Sequence, residues 1–439
     1  MRAEPLRAAV RKDWAAPMKF FYADSQDLVD PNFDFVREEW SRDRLRHRDD
    51  VYAHELFSSP PYDGLLVSKA IVDGMGNGSR YTLAQRHRFY RQGVREFFRV
   101  PTHWRDFQVM GDCGAFSYVK ERQPPFTVDD VLDYYANGRF DLGLSVDHVI
   151  LDYQPKWDTT GVPDDVLYRQ RLTLTLAEEF IARHAARRLD VTPVGVAQGW
   201  SPTSYAAAVV ELQRLGYQYI AIGGLVPLKT DAILEVLERV SVVLLPGVQL
   251  HLLGVTRVEQ VAEFTSFGVV SFDTTSPLRQ AFKDDRDNYW TQSSAYTAIR
   301  IPQLEGNPSL MKLIRSGAVK QEEAARLERA CLEAMRCFAG AAGSVATVVS
   351  LLREYEDLYA PGKDHSVGYR QTLEDQPWRA CVCDVCQAIG HHVILFRGAE
   401  RNRRRGFHNL WVFRQRLHRS IERGSRRSVA LPVLAAGVV

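Results

Sequence analysis

Thr192-Pro-Val-Gly-Val-Ala197, the helical pattern of Tyr205–Leu215 and Tyr217-Gln-Tyr-Ile-Ala-Ile222 form the stretch on which the fold turns. A short β-branched apolar run leads through an amphipathic segment into a second apolar run. Strands that are apolar on both faces, alternating with helices, imply a parallel sheet with both faces covered. Working outward, the alternation recurs at Lys19–Ala23, Gly64–Val72, Phe107–Gly111 and Ser145–Leu151 upstream, and at Gln249–Gly254 and Gly268–Phe272 downstream. Leu167–Arg188 reads as another covering helix. Eight strand–helix units over roughly 260 residues predict an α/β fold, a (β/α)8 TIM barrel, whose usual length is about 250. A doubly wound sheet is the alternative.

Beyond the eighth run the pattern changes. Residues 274–377 read as an α-helical insertion, with helices over about 320–338 and up to Tyr359, and residues 378–439 as a zinc-binding, arginine-rich C-terminal module. The barrel with its N-terminal extension then occupies 1–273. Of the 439 residues, 45% are hydrophobic and 25% charged, the balance of an ordinary globular protein. No window approaches the ~20 apolar residues of a membrane span, and the first residues lack the apolar core of a secretory signal. A cytoplasmic location is expected. The apolar tail Val429–Val439 is expected to pack as a strand or to fray, and Gly74-Met-Gly76-Asn-Gly78 to form a flexible rim loop.

Cys381-Val-Cys383-Asp-Val-Cys386 and, further on, His408-Asn409 supply three thiolates and an imidazole. That is a complete tetrahedral set for Zn²⁺ with no position left for water, hence structural. His391-His392 is the competing source of the imidazole. Between Arg397 and Arg427 stand eleven arginines, no lysine, and only Glu400 and Glu422 in opposition, a local charge of +9 in a chain of net +2. Such a patch reads as a footprint for a polyanion, here nucleic acid, with a solvated helical face as the alternative. Trp290 in Asp-Asp-Arg-Asp-Asn-Tyr-Trp reads either as a platform for an unpaired base or as loop packing.

In a barrel, catalytic residues come from the C-terminal ends of strands. Those ends carry Asp112-Cys-Gly-Ala-Phe116, Asp147 and Asp152, Gln198-Gly199, Gly223-Gly224-Leu225 and Asp273-Thr274. A single aspartate there is as well explained by helix capping. Several on one rim suit glycosidic chemistry, which uses two carboxylates.

The order of Asp112-Cys-Gly-Ala-Phe, Gly-Val-Ala-Gln198-Gly, Ala-Ile-Gly223-Gly224-Leu, His-Leu-Leu-Gly254-Val and Phe-Asp273, closed by the Cys3His set, resembles the tRNA-guanine transglycosylase superfamily. The passage from Phe272 to Lys283 is most similar to the DpdA-type members, which insert 7-deazaguanine bases into DNA. The resemblance implies base exchange through a covalent glycosyl-enzyme, with Asp273 as nucleophile and Asp112 as general acid/base. It further implies that Asp147, with Asp152 as competitor, reads the purine edge, and that Gln198 with the backbone of Gly223, Gly224 and Leu225 holds the exocyclic oxygen. Phe116 and Leu253 would sandwich the base, and Cys381, Cys383, Cys386 and His408 would hold structural Zn²⁺. Val226-Pro-Leu-Lys229 stands where queuine-pathway tRNA enzymes carry a glutamate, and Thr274–Arg279 lacks their threonine–arginine pattern. DNA is therefore the expected polymer, tRNA the alternative, and a non-catalytic nucleic-acid-binding subunit the third reading. A free 7-deazaguanine is the expected second substrate. An ATP-dependent accessory protein and a homodimer are left open.

Overall fold

The computed structural model describes residues 18–75 and 79–429. Eight parallel strands close into a barrel: β1 Lys19–Ala23, β2 Gly64–Ser68, β3 Gln108–Asp112, β4 Leu142–Leu144, β5 Thr192–Ala197, β6 Tyr219–Ile222, β7 Gln249–Leu252 and β8 Val269–Asp273. Closure comes from β1, which pairs with β2 on one side and with β8 on the other, Phe21 lying opposite Asp273. The barrel expected from the alternation is present.

Its interior is filled by Phe21, Leu66, Met110, Leu142, Leu144, Val194, Val196, Tyr219, Ala221 and Val270, all buried. Helices cover the outside, and their starts are written into the sequence. Thr82 with Gln85, and Thr127 with Asp130, form reciprocal capping boxes at Leu83–Gln92 and Val128–Gly138; Ser201 caps Pro202–Arg214, with proline at the first turn. One helix approaches closely because β3 and β4 yield to it. Added Cβ atoms at Gly111 and Gly143 would lie 2.2 and 2.5 Å from the ring of Tyr135, so only glycine lets that buried ring lie against both strands.

Several of the eight runs are shorter as strands than they read, and two change character. Lys69–Val72 turns helical directly after β2. Ser145–Leu151, expected as the fourth strand, is instead the irregular segment that follows β4. After Ser145 N–H bonds Val194 O, side chains take over the backbone donors: His148 N–H goes to Thr173 Oγ1 and Ile150 N–H to Gln198 Oε1. Without free donors the ladder stops, and the run becomes the loop that carries Asp147.

The described residues fall into two compact units. One draws on the described residues of 18–26, 62–275 and 416–429 and contains the barrel; the other comprises Asp27–Pro61 and Ser276–Gln415. In the second, Gln321–Ala339 buries Ala324, Leu327, Cys331, Met335 and Phe338 along one face, and Val345–Tyr359 packs against it. Residues 377 and 378, where a module boundary was expected, both lie within this unit. No helix among the described residues is long and apolar enough to cross a membrane. The tail from 430 onward and residues 76–78 of the expected rim loop lie outside the described residues.

Candidate active site and metal centre

The mouth of the barrel gathers three of the four carboxylates that the sequence singled out, Asp112, Asp147 and Asp273. Asp112 ends β3 and accepts a 2.6 Å hydrogen bond from the Ser68 hydroxyl at the end of β2, its register partner. Asp147, buried on the loop after β4, accepts from Gln198 Nε2 at 2.8 Å, and Cys113 Sγ lies 3.2 Å from its other oxygen. The Tyr118 hydroxyl sits 2.9 Å from Cys113 Sγ and 3.0 Å from the Asp147 carbonyl. Asp273 ends β8 and accepts from the Gly254 N–H at 3.0 Å. Asp152 is exposed on the same loop as Asp147 and has no part in this cluster.

Burial sets the proton affinities. It pushes the Asp147 carboxyl up to about 7, with the Asp112 charge adding to the rise and the Cys113 and Gln198 hydrogen bonds opposing it. Asp112 is likewise raised, first by burial and then by the charge of Asp273, against hydrogen bonds from Ser68 and Gly114. Burial also raises the Cys113 thiol well above its ordinary range, so it stands beside Asp147 as a neutral S–H donor.

Between β6 and the next helix, Gly223 and Gly224 press against Gln198. A Cβ on Gly223 would lie 2.2 Å from Gln198 Nε2; one on Gly224, at φ +73°, would lie 2.4 Å from the Ile150 carbonyl. The Gly223 N–H is spent on Ala197 O, and its carbonyl accepts from Tyr205. The N–H groups of Gly224 and Leu225 have no protein partner among the described residues and remain able to meet a ligand. Leu225 itself is fully buried. Phe116 is 51% exposed on the turn after Asp112, whereas Leu253, after β7, packs against the barrel core. Sequence reasoning missed Ser68, Cys113, Tyr118 and, on the interior strands, His251 and Ser271. The available signal was a polar residue interrupting each apolar run, as in Gln249-Leu-His-Leu252.

In the second unit, Cys381, Cys383, Cys386 and His408 bring their ligand atoms within 4.8 Å of one another. His408 Nδ1 lies 3.6, 3.3 and 3.4 Å from the three sulfurs. Its Nε2 lies 2.7 Å from the Trp290 carbonyl, an acceptor, so the proton sits there and the Nδ1 lone pair faces the thiols. Tyr289 stacks on the imidazole at 4.2 Å and brings its hydroxyl to 3.3 Å from Cys386 Sγ. This donor set fits a metal ion. His391 and His392 are not among these donors; His392 instead stacks on Phe35. Trp290 is 8% exposed with its indole N–H on the Asp287 carbonyl, so it packs and offers no open face.

The arginine window divides in a way its sequence did not disclose. Arg397, Arg401, Arg404 and Arg405 are buried. Arg397 and Arg401 grip Glu38, which burial would raise but which their guanidiniums hold down to about 2. Arg404 pairs with Glu400, and Arg405 bonds the Ala281 and Leu395 carbonyls. These four brace the unit's interior and do not face solvent; Arg419 and Arg423, farther along the helix, are exposed.

No family model matches the chain. Over 407 residues, 91% of its length, it is 46% identical to a DNA-guanine transglycosylase of Salmonella montevideo, 96% of which is covered.

Proposed function

Because the chain belongs to the DNA-guanine transglycosylase family, we propose that it exchanges a guanine base of DNA for a 7-deazaguanine such as 7-cyano-7-deazaguanine, with Asp273 as nucleophile and Asp112 as acid/base. The observation that carries the assignment of residues is the rim on which both carboxylates end their strands, with the charge of Asp273 raising the proton affinity of Asp112. A raised carboxyl is suited to carry a proton to a leaving base and to take one back.

In the first half-reaction an Asp273 oxygen forms a bond to C1′ of the target nucleotide. The C1′–N9 bond breaks, its electron pair goes to guanine, and Asp112 delivers a proton to the departing base. In the second, a ring nitrogen of the incoming base bonds C1′, the Asp273 ester breaks, and the ring proton passes to Asp112. Two inversions retain the configuration at C1′. The base sits between Phe116 and Leu253. Asp147, when ionised, accepts from the purine N1–H and amino group, while Gln198 and the N–H groups of Gly224 and Leu225 meet the exocyclic oxygen; Gly223 lends its missing side chain and no N–H.

The target nucleotide must leave its stack, at a cost of about a few kcal/mol for a paired base, which phosphate contacts offset. Zn²⁺ is the ion that best suits three sulfurs and one imidazole, held by Cys381, Cys383, Cys386 and His408 as a structural brace. None of the six cysteines is paired in a disulfide, which supports a reducing compartment such as the cytoplasm. An ATP-driven partner would fit the need to open duplex DNA.

The deciding experiment offers labelled guanine together with duplex DNA or bulk tRNA. Incorporation into DNA alone is expected; incorporation into tRNA alone would transfer the reading to tRNA, and none into either would leave a binding subunit. Asp273→Asn should abolish the denaturation-resistant protein–DNA adduct. An adduct that persisted would move the nucleophile elsewhere.

A further inference from the structure

Behind the nucleophile lies a polar chain inside the apolar barrel. His251, third residue of β7, is fully buried. Its Nε2 lies 3.3 Å from Asp273 Oδ1 and its Nδ1 2.5 Å from Ser271 Oγ. Ser271 and Asp273, two apart on β8, lie on the same side of the strand and so flank one imidazole. The Ser271 hydroxyl in turn bonds the Tyr219 hydroxyl from β6. Ser271 is itself fully buried, and the Phe21 ring packs edge-on against His251 at 5.8 Å.

The inventory of protons gives this chain a direction. A carboxylate oxygen only accepts, so the order runs back from Asp273: with Nε2 donating to Oδ1 and Nδ1 accepting from Ser271, the Tyr219 hydroxyl is left to donate to Ser271 Oγ. The imidazole proton therefore resides on Nε2. The opposite tautomer would set a bare Nε2 lone pair against a carboxylate oxygen. Gly254 N–H is bonded to the same Oδ1, at 3.0 Å. Two donors thus hold one oxygen of Asp273, and Oδ2 has no protein partner among the described residues.

We propose that His251 is the positioning residue of the nucleophile: with Gly254 it pins Oδ1, so that Oδ2 is the atom that bonds C1′, and Tyr219 and Ser271 fix the imidazole tautomer required for this. The inference rests on the assignment of Asp273 as nucleophile. As Oδ2 bonds C1′, the C1′–N9 pair leaves with guanine and Oδ1 becomes the ester carbonyl, still facing both donors. When the incoming nitrogen attacks, the C1′–Oδ2 pair returns to Asp273 and the carboxylate regains its charge. A hydrogen bond to a carboxylate is stronger than one to an ester, so the His251 N–H assists ester breakdown most.

The test follows formation and breakdown of the covalent adduct separately, in single turnover on duplex DNA with guanine as incoming base. His251→Leu should lower kcat on the order of 100-fold, as for loss of one positioned donor, with KM for guanine little changed and adduct breakdown slowed more than its formation. His251→Gln, whose amide N–H can reach the same oxygen, should recover at least tenfold of that loss. Tyr219→Phe keeps the shape and removes only the hydroxyl that directs Ser271; it should slow breakdown several-fold at an unchanged melting temperature. The proposal is overturned if His251→Leu leaves both half-reactions within twofold of wild type, if His251→Gln is no better than His251→Leu, or if Tyr219→Phe is neutral. An adduct surviving Asp273→Asn would overturn the nucleophile assignment instead, which keeps the two failures distinct.

Discussion

In the proposed mechanism Asp147 joins stability and recognition in a single carboxyl. Its proton affinity is raised to about 7, whereas the unfolded chain would titrate it near the ordinary value of 3.8. A raised group contributes stability that is complete below the unfolded value and is lost as pH rises through the folded one. Wild-type protein should therefore lose melting temperature between pH 4 and 8 by more than Asp147→Asn does, which scanning calorimetry across that range would register; parallel curves would refute the burial argument. Recognition runs the other way. Only the ionised carboxylate accepts from the purine N1–H and amino group, so KM for the free base should rise as pH falls below 7, with kcat following separately. Of this residue the sequence disclosed its type and its place at a strand end. The resemblance favours Asp147 over Asp152; what the sequence did not disclose is that Asp147 is buried and Asp152 exposed, which follows from where β4 stops and from the side chains of Thr173 and Gln198 reaching backbone donors.

Among the elements, the metal set shows what spacing can and cannot convey. Cys381, Cys383 and Cys386 are legible because three thiols within six residues have few other uses. His408, which the resemblance favours over His391 and His392, is the histidine that stands beside the three sulfurs, its ring oriented by the Trp290 carbonyl far away in sequence. Cys383→Ser, or a strong chelator, should lower the melting temperature of the protein and release zinc measurable by elemental analysis. Labelled-guanine exchange per folded molecule should persist, because no catalytic atom lies in this set. Exchange lost from protein that remains folded would give the metal a chemical role. The polar interruptions in β7 and β8 illustrate the opposite limit. A histidine within Gln-Leu-His-Leu reads as a satisfied core residue until the strand order places β8 beside it.

For the whole molecule, the net charge of the arginine window overstates what a polyanion can meet. If all of the +9 faced phosphates, the logarithm of DNA affinity would fall against the logarithm of salt with a slope of roughly −8. With Arg397, Arg401, Arg404 and Arg405 buried, and with Glu400 tied to Arg404, the window's ceiling is roughly −5. Arg419→Ala with Arg423→Ala should make the slope shallower by up to about 2 at unchanged stability. Arg397→Ala should instead lower the melting temperature and leave the slope as it was, and a steeper dependence on Arg397 than on Arg419 would reverse the division. Composition counted these charges correctly. It could not separate braces from contacts, because Glu38, the partner of Arg397 and Arg401, stands near the other end of the chain.

The pairing of Phe21 with Asp273 has a consequence for how the protein is made. The strand that closes the barrel is the last of the eight to leave the ribosome, and at about 5–20 residues per second the first must wait on the order of 10–50 s for it. Throughout that interval β1 has one open edge, and Glu38 waits longer still for its arginines. Asp273, the proposed nucleophile, belongs to this late strand, so a nascent chain would gain that carboxylate only in the step that seals the barrel, and a product truncated before residue 273 lacks it altogether.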